Sequence, residues 1–340
     1  MALVPWITAS AISTDSTSVI GKILQRVSFS GYAIAGWEYH SKSNPNNEFV
    51  LSKIIFMTNV KVTKKMNAFV MLDFRNFNLQ EMWMSYSFLP EVNVKLGQFK
   101  TPFSIESPLS PSRLELITGT SLVTSEMICG GSPLMMPGAA GRDLGITVYG
   151  SLFKGFVNYD LALMSGTGRN KRDNNSQKDF AARVSVNPFE FLRLSGSALV
   201  GTGNVKLTQV GDEYVCDEVP ELTDVKANGN FKRRRYAAGA ELKTAPVDVR
   251  GEWMWGKDGN LSSDGCYVTS AIKNVATKGL EIVASYDHLK NYVGARNRYT
   301  AGLQYWFLKR CRVQAGYSYD KRCGTGAGES SFYTYLQLAF

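Results

Sequence analysis

The sequence predicts an all-β chain, a 16-stranded antiparallel transmembrane β-barrel over residues 25–340 with a long third extracellular loop folded inward over 100–141. Three observations predict it. Sixteen segments carry strand chemistry, rich in aromatic and β-branched residues and bounded by turn residues. The links between them alternate between short and long. No apolar run reaches the ~18 residues that a membrane-crossing helix needs.

The segments follow one another with little left over. Strand 26–39 leads through the long link His40 to Asn47 into 48–62, and Thr63-Lys64-Lys65 turns the chain into 66–75. The next link, Asn76-Phe77-Asn78, is the one outer link that is short. Strand 79–88 turns tightly at Leu89-Pro90 into 91–99, and the 42-residue link from Lys100 to Gly141 precedes 142–149. The tight link Gly150 to Lys154 opens 155–164, the long link Ser165 to Gln177 opens 178–187, and Asn187-Pro188 opens 189–201. A long link from Thr202 to Asn230 precedes 231–242; Lys243 to Ala245 then turns into 246–257, and Asp258 to Ser263 into 264–272. Lys273 to Ala276 precedes 277–288, Leu289 to Ala295 precedes 296–307, Leu308 to Arg310 precedes 311–321, and Arg322 to Gly328 precedes 329–340. Short periplasmic turns and longer outer loops are what a membrane barrel with an even strand number shows.

The last strand displays the pattern most clearly. Phe332, Leu336, Leu338 and Phe340 lie on one face, and Tyr333, Tyr335 and Gln337 on the other. The period is two, over a length suited to crossing a bilayer at a tilt, ~9–11 residues. This aromatic-ended strand resembles the assembly signal of bacterial outer-membrane barrels. Mean hydropathy is −0.14 and 44% of residues are apolar, values that also suit a soluble all-β protein. A strand with one face to lipid and one to water averages to such values. Residues 1–24 are set apart from the barrel as a signal remnant or periplasmic extension. Ala2-Leu3-Val4-Pro5-Trp6-Ile7 followed by Ala9-Ser10-Ala11 resembles the end of a signal peptide, without a basic segment before it.

The third loop contains Pro102, Pro108, Pro111, Pro133 and Pro137, and connections this long usually have a function. A sixteen-stranded lumen is wide enough to take it in. The alternative is a lid outside the barrel.

Around this loop the sequence resembles the phosphate-selective porin O and P family. The resemblance is carried by Val94-Lys95-Leu96-Gly97-Gln98-Phe99-Lys100-Thr101-Pro102-Phe103-Ser104-Ile105-Glu106 at the strand exit and Gly141-Arg142-Asp143-Leu144-Gly145-Ile146 at the re-entry. It implies a sixteen-stranded porin in the outer membrane of a Gram-negative bacterium, usually a homotrimer, with the third loop inside. It also implies a channel for small anions and hydrophilic solutes, with arginines and lysines that hold phosphate, set among outer-membrane lipid and lipopolysaccharide. It implies no cofactor, metal or nucleic-acid partner.

Alternation assigns charges to faces. Phe180, Ala182, Val184 and Val186 face lipid, which turns Arg183 inward; the same reasoning turns Arg193, Arg235, Arg250 and Lys95 inward. A charge facing the bilayer midplane would cost ~2–4 kcal/mol. Arg183, Arg193, Arg235 and Arg250 come from four consecutive strands and are expected to form one basic wall, shared with Glu241 and Glu252. The plain alternative is that they form ion-pair networks that stiffen the wall. Glu106, Glu115 and Glu126 with Arg113 on the loop would set a transverse field across the constriction, the design of a non-selective porin. Arg169, Lys171, Arg172, Lys232 and Arg233 are expected at the outer rim, drawing anions in or meeting lipopolysaccharide phosphates. Net charge is +9, from 38 Lys and Arg against 29 Asp and Glu, which favours anions on average. Tyr86, Phe88, Tyr299, Tyr305, Phe307, Tyr317, Tyr319 and Phe332 fall where an interfacial aromatic belt would sit.

Of the five cysteines, Cys129, Cys216, Cys266 and Cys323 fall on or near outer loops and Cys311 at the periplasmic end. Cys216–Cys266 is the first candidate for a loop–loop bridge. No Cys/His spacing suggests zinc. A barrel enzyme would need a His with a nucleophile or acid, and only His40 and His288 exist. Asp287 and His288 are strand neighbours and point to opposite faces, which spoils a dyad, so no catalytic residue is assigned.

Overall fold

The computed structural model describes residues 25–129, 141–210, 213–217, 219–324 and 326–340. The N-terminal segment 1–24 and part of the third loop lie outside the described residues. The strands are β1 (Val27–His40), β2 (Asn47–Lys61), β3 (Met66–Asp73), β4 (Asn78–Leu89), β5 (Val92–Lys100), β6 (Arg142–Leu152), β7 (Val157–Met164), β8 (Asp179–Phe189) and β9 (Leu192–Asn204). A hairpin follows, β10 (Leu207–Val210) and β11 (Glu213–Cys216). The remaining strands are β12 (Asn230–Thr244), β13 (Val247–Asp258), β14 (Leu261–Ile272), β15 (Leu280–Asn291), β16 (Gly294–Leu308), β17 (Cys311–Arg322) and β18 (Glu329–Ala339).

All but β10 and β11 form one closed antiparallel barrel of sixteen strands, in which each strand pairs with its neighbour in the chain and β9 pairs with β12. Strands β18 and β1 close the ring with Tyr32 opposite Ala339. At the seam the Gly31 N–H donates to the Phe340 carbonyl at 3.2 Å, and the Phe340 N–H donates back at 3.1 Å. Gly31 has to be glycine: a Cβ there would stand 2.6 Å from the Ile55 carbonyl oxygen and 2.7 Å from the Phe340 ring. Closure leaves no unpaired edge, as a barrel in lipid requires.

Strand ends depart from the expected ones where turn geometry intervenes. The segment expected to begin at 277 begins at Leu280, because Asn274 and Ala276 adopt positive φ and Gly279 completes the turn. The hairpin β10–β11 was not expected at all. It folds back within the 202–230 link, where Cys216, Val219, Leu222, Phe231 and Leu261 make a small apolar cluster.

The outer surface is apolar. Leu96, Leu144, Leu163, Phe180, Trp253, Val268, Leu303 and Leu338 are all exposed on outward faces. Tyr86 with Phe88 and Tyr317 with Phe332 pair as exposed aromatic rings, their centroids 4.8 and 4.9 Å apart. Such an outward band on a closed barrel is a lipid-facing surface, and barrels of this kind reside in the outer membrane of Gram-negative bacteria.

Candidate functional site

The interior is organised by the third loop. It leaves β5 at Lys100, and the Thr101 N–H donates to the Gly141 carbonyl at 2.9 Å across its neck. Ser104, at φ 69, bends the chain in a conformation that L-residues seldom adopt. Glu252 of β13 holds that bend, accepting from Ser104 Oγ at 2.6 Å, the Ile105 N–H at 2.8 Å and the Tyr267 hydroxyl at 2.7 Å. Further along, the Ile117 N–H donates to Gln314 Oε1 at 2.8 Å and the Leu122 N–H to Asp287 at 3.3 Å. A short helical stretch, Leu122–Thr124, is capped by Ser121, whose hydroxyl accepts from the Thr124 N–H.

Those bonds hold the loop against much of the inner wall. Phe103, Leu122, Val123, Met127 and Ile128 pack into a dry cluster with Ala162, Met164, Ala181, Leu199, Ala237, Met254, Tyr267 and Leu289, inward residues of β7–β9 and β12–β15. Ile117 packs near Tyr32, Ile34, Ile55, Met71, Tyr333 and Tyr335. Beside β2–β8, and partly lined by Pro102 and Pro108 of the loop itself, the lumen keeps a cavity of about 280 Å³.

The arginines expected to form one basic wall do face inward, but they are staggered and each is ion-paired. Arg193 is level with Glu241 and Arg250, whereas Arg183 is level with Ser197 and Arg235 with Leu199. From Arg193 to the level of Arg235 is about 20 Å along β9 at ~3.3 Å per residue. Arg235 is fully buried; it bonds Asp258 at 3.0 Å and the Met127 carbonyl, so its guanidinium meets protein and not the cavity. Arg250 is buried against Glu115. Arg193, the most open of the four, pairs with Glu241 at 3.2 Å. Arg183 pairs with Asp160 at 2.8 Å and lines the cavity. Cross-strand register creates two of these four pairs, since Asp160 is opposite Arg183 and Glu241 opposite Arg193, while the Arg250 partner Glu115 comes from the loop.

The loop carboxylates are also engaged. Glu106 is buried and accepts from the Ser121 N–H at 3.0 Å and hydroxyl at 2.7 Å; burial pushes its carboxyl above the ordinary range. Glu126 is buried, accepts from Asn291 Nδ2 at 3.0 Å and is likewise pushed up. Glu115 turns to Arg250, and Arg113 is exposed. Glu252, expected to share the basic wall, is instead the anchor of the loop.

At the outer rim Lys171, Arg172 and Lys232 are exposed, and Arg169 donates to Gln80 at 2.6 Å. Arg233 is not on the exposed rim. Alternation on β12 turns it inward, where it is buried between Asp179 at 3.1 Å and Asp258 at 3.5 Å. The proposed Cys216–Cys266 bridge is absent and both thiols are free. Cys216 is buried in the hairpin cluster, while Cys266 follows the outward parity of Val268 on β14. Asp287 is buried against Arg298 at 3.0 Å and His288 bonds Asn297, so the two side chains do separate things. Among the described residues no His/Cys/Asp/Glu cluster could hold a metal.

The cavity is the candidate site. Its charged lining is Lys95, Lys100, Arg183, Glu81 and Asp160; its apolar lining is Met57, Phe69, Met71, Trp83, Pro102 and Pro108. Glu81 pairs with Arg142 at 3.2 Å. Lys95 Nζ lies among three rings, 4.7 Å from the centroid of Trp83, 4.9 Å from Tyr149 and 5.4 Å from Phe99, the placement that favours a cation over a π face. Among the described residues no carboxylate pairs with it. Lys100 donates to the Ser107 carbonyl at 3.2 Å and the Leu109 carbonyl at 2.5 Å. Sequence reasoning picked out Lys95 and Arg183 but missed Lys100 and Arg142. Both sit at the mouth of the loop; Lys100 lines the cavity and Arg142 reaches it only through its pair with Glu81.

No family model matches the chain, and no curated protein matches it by sequence. Solved structures do. The Vibrio cholerae outer-membrane protein OmpT in its trimer form aligns with TM-score 0.65 and 11% identity over 92% of this chain and 99% of that one. An anion-selective porin from Comamonas acidovorans aligns with TM-score 0.63 and 12% identity, over 92% and 99%. The outer-membrane channel DcaP of Acinetobacter baumannii aligns with TM-score 0.64 and 12% identity, over 92% and 97%. At such identities the likeness is one of fold, that of the outer-membrane porins.

Proposed function

We propose that the chain is a passive diffusion channel for small hydrophilic solutes, that it prefers anions, and that it works as a homotrimer. The observation that carries the preference is the charge of the cavity. Lys95, Lys100 and Arg183 line it beside Glu81 and Asp160; Glu81 is further paired to Arg142, and among the described residues no carboxylate pairs with Lys95. A surplus of fixed cations beside a narrow passage raises the local anion concentration. A similar fold occurs in a protein described as an anion-selective porin, and another similar structure is a trimer form. The exposed Lys171, Arg172 and Lys232 would meet incoming anions or lipopolysaccharide phosphates at the rim.

Phosphate is passed but not held tightly on this reading. A dedicated site needs several cations converging without carboxylates, because a carboxylate repels the anion and competes for the guanidinium. Glu81 and Asp160 stand in the same cavity as Lys95 and Arg183. A non-selective channel with a transverse field is less well supported, since Glu106 and Glu126 are buried and Glu115 is matched by Arg250.

Single-channel recording in planar bilayers tests this. The expected result is an open channel whose reversal potential in a KCl gradient favours chloride, with weak block by phosphate. A cation-favouring potential overturns the preference, strong block at submillimolar phosphate restores a dedicated phosphate site, and a silent barrel removes the channel reading.

A further inference from the structure

We propose that the cavity beside β2–β8 is a binding subsite for small aromatic carboxylates, a flat ring bearing a single carboxylate; this rests on the anion-preferring channel reading. The lining has two halves. One is charged: Lys95, Lys100 and Arg183 with the carboxylates Glu81 and Asp160, of which Glu81 is paired to Arg142 and Asp160 to Arg183. The other is apolar: Met57, Phe69, Met71, Trp83, Pro102 and Pro108. A passage for hydrated inorganic ions has no use for the second half, because an ion that sheds water against thioethers and rings finds nothing there to replace it. A ring gains on both counts, losing only apolar hydration and meeting polarisable partners.

The arrangement is fixed in advance. The rings of Phe69 and Trp83 are stacked at 5.0 Å and 23°. The Trp83 indole N–H donates to Glu81 at 3.3 Å, which holds the ring plane and occupies that carboxylate a second time. Glu81 is thus tied to Arg142 and Trp83, and Asp160 to Arg183, so neither presents a bare charge to the solute. Lys95 differs from a solvated lysine in having three rings around its ammonium. An ammonium so placed keeps fewer waters, and exchanging them for a carboxylate oxygen costs less than at an open surface. The carboxylate therefore belongs against Lys95 and Arg183, and the ring against Phe69, Met57 and Met71. The volume, about 280 Å³, is near the lower end of small-molecule pockets, and suits one ring better than a fused system.

The test compares three solutes of graded chemistry on the native channel in planar bilayers in KCl: acetate, benzoate and benzyl alcohol. Benzoate should halve the chloride current at a concentration about tenfold below acetate, the scale set by burying the apolar surface of one ring. Benzyl alcohol should not block. Lys95→Met keeps the apolar volume and should weaken block by benzoate and by acetate alike; Trp83→Leu should weaken benzoate block more than acetate block. Folding of each variant is followed by heat-dependent gel mobility, and the native comparison decides alone where a variant does not fold. Equal block by acetate and benzoate in a channel that still favours chloride overturns the subsite and leaves the channel reading intact. Block by benzyl alcohol equal to that by benzoate also overturns it, since the carboxylate would then be irrelevant. A cation-favouring reversal potential in the native channel overturns the anion reading beneath it.

Discussion

Ser104 and Glu252 are 148 residues apart in the chain, and a 2.6 Å hydrogen bond joins the serine hydroxyl to the glutamate carboxylate. The same carboxylate takes the Ile105 N–H and the Tyr267 hydroxyl, all of it in the buried interior. One side chain of β13 therefore fixes the strained entry of the third loop.

Glu252→Ala should loosen that entry. Each donor left buried without an acceptor costs about 1–3 kcal/mol, and three are left. The expected outcome is a channel of higher and noisier single-channel conductance, from a barrel that unfolds at lower temperature. Glu252→Gln keeps an acceptor and should show the same changes at smaller amplitude. Conductance and noise identical to native in Glu252→Ala would mean that the bond does not hold the loop.

Ion selectivity should follow the cavity and not the buried arginines. Lys95→Gln with Lys100→Gln should move the reversal potential in a KCl gradient toward cations. Arg235→Gln should leave the potential unmoved, because Arg235 is fully buried between Asp258 and the Met127 carbonyl. It should instead lower stability, by about 3–5 kcal/mol for an ion pair broken in the interior. A cation-ward shift in Arg235→Gln as large as that of the lysine pair would contradict this division.

Acidity should act on the loop through Glu106. Burial holds its carboxyl above the usual value of 4.5, with Arg250 and Ser121 opposing. The neutral form is thus favoured in the folded barrel. The stability this confers is fully present below the ordinary glutamate value and is lost as pH rises through the raised one. Glu106→Gln should melt above the native protein near neutral pH, and the gap should close on acidification toward about pH 4. A gap of constant size across that range would rule out ionisation of Glu106 as its source.

Thiol labelling offers a simpler check. Cys323 is exposed while Cys216 and Cys311 are buried, all three as free thiols. In the folded barrel a maleimide should modify Cys323 quickly and the two buried thiols only after unfolding. Resistance of Cys323, or reducible cross-linking of Cys216 to Cys266, would be the contrary result.

The barrel was legible because lipid imposes a strict rule on every second residue. Phe180 and Val184 are exposed and Ala181 and Ser185 buried, as the period of two requires. The same rule turned Arg183, Arg235 and Arg250 inward. It has no means of telling which inward residues the loop then covers. That choice is made by bonds between distant parts of the chain, such as Ser104 to Glu252 and Arg235 to Met127, and no local pattern encodes them. Hence Arg235 reads as a pore residue but is packed away, and Lys100 reads as a strand end but lines the cavity. The hairpin β10–β11 was missed because its strands span only four residues each, too few to display a period.

In chain order, the third loop precedes most of the wall it rests on. It leaves β5, yet its hydrogen-bond partners include Ser197, Glu252, Asp287, Gln314 and Gln337, the last three from β15, β17 and β18. Contacts of such sequence separation are slow to form, since the intervening chain must first be brought back. Until then Phe103, Leu122 and Ile128 meet only the share of their dry surface that β7–β9 supply. Gly31 and Phe340 join the two ends of the ring at the same late stage. Sealing the barrel and completing the cover of its loop therefore both depend on the last strands, and an unfinished ring is also one with a partly uncovered apolar loop.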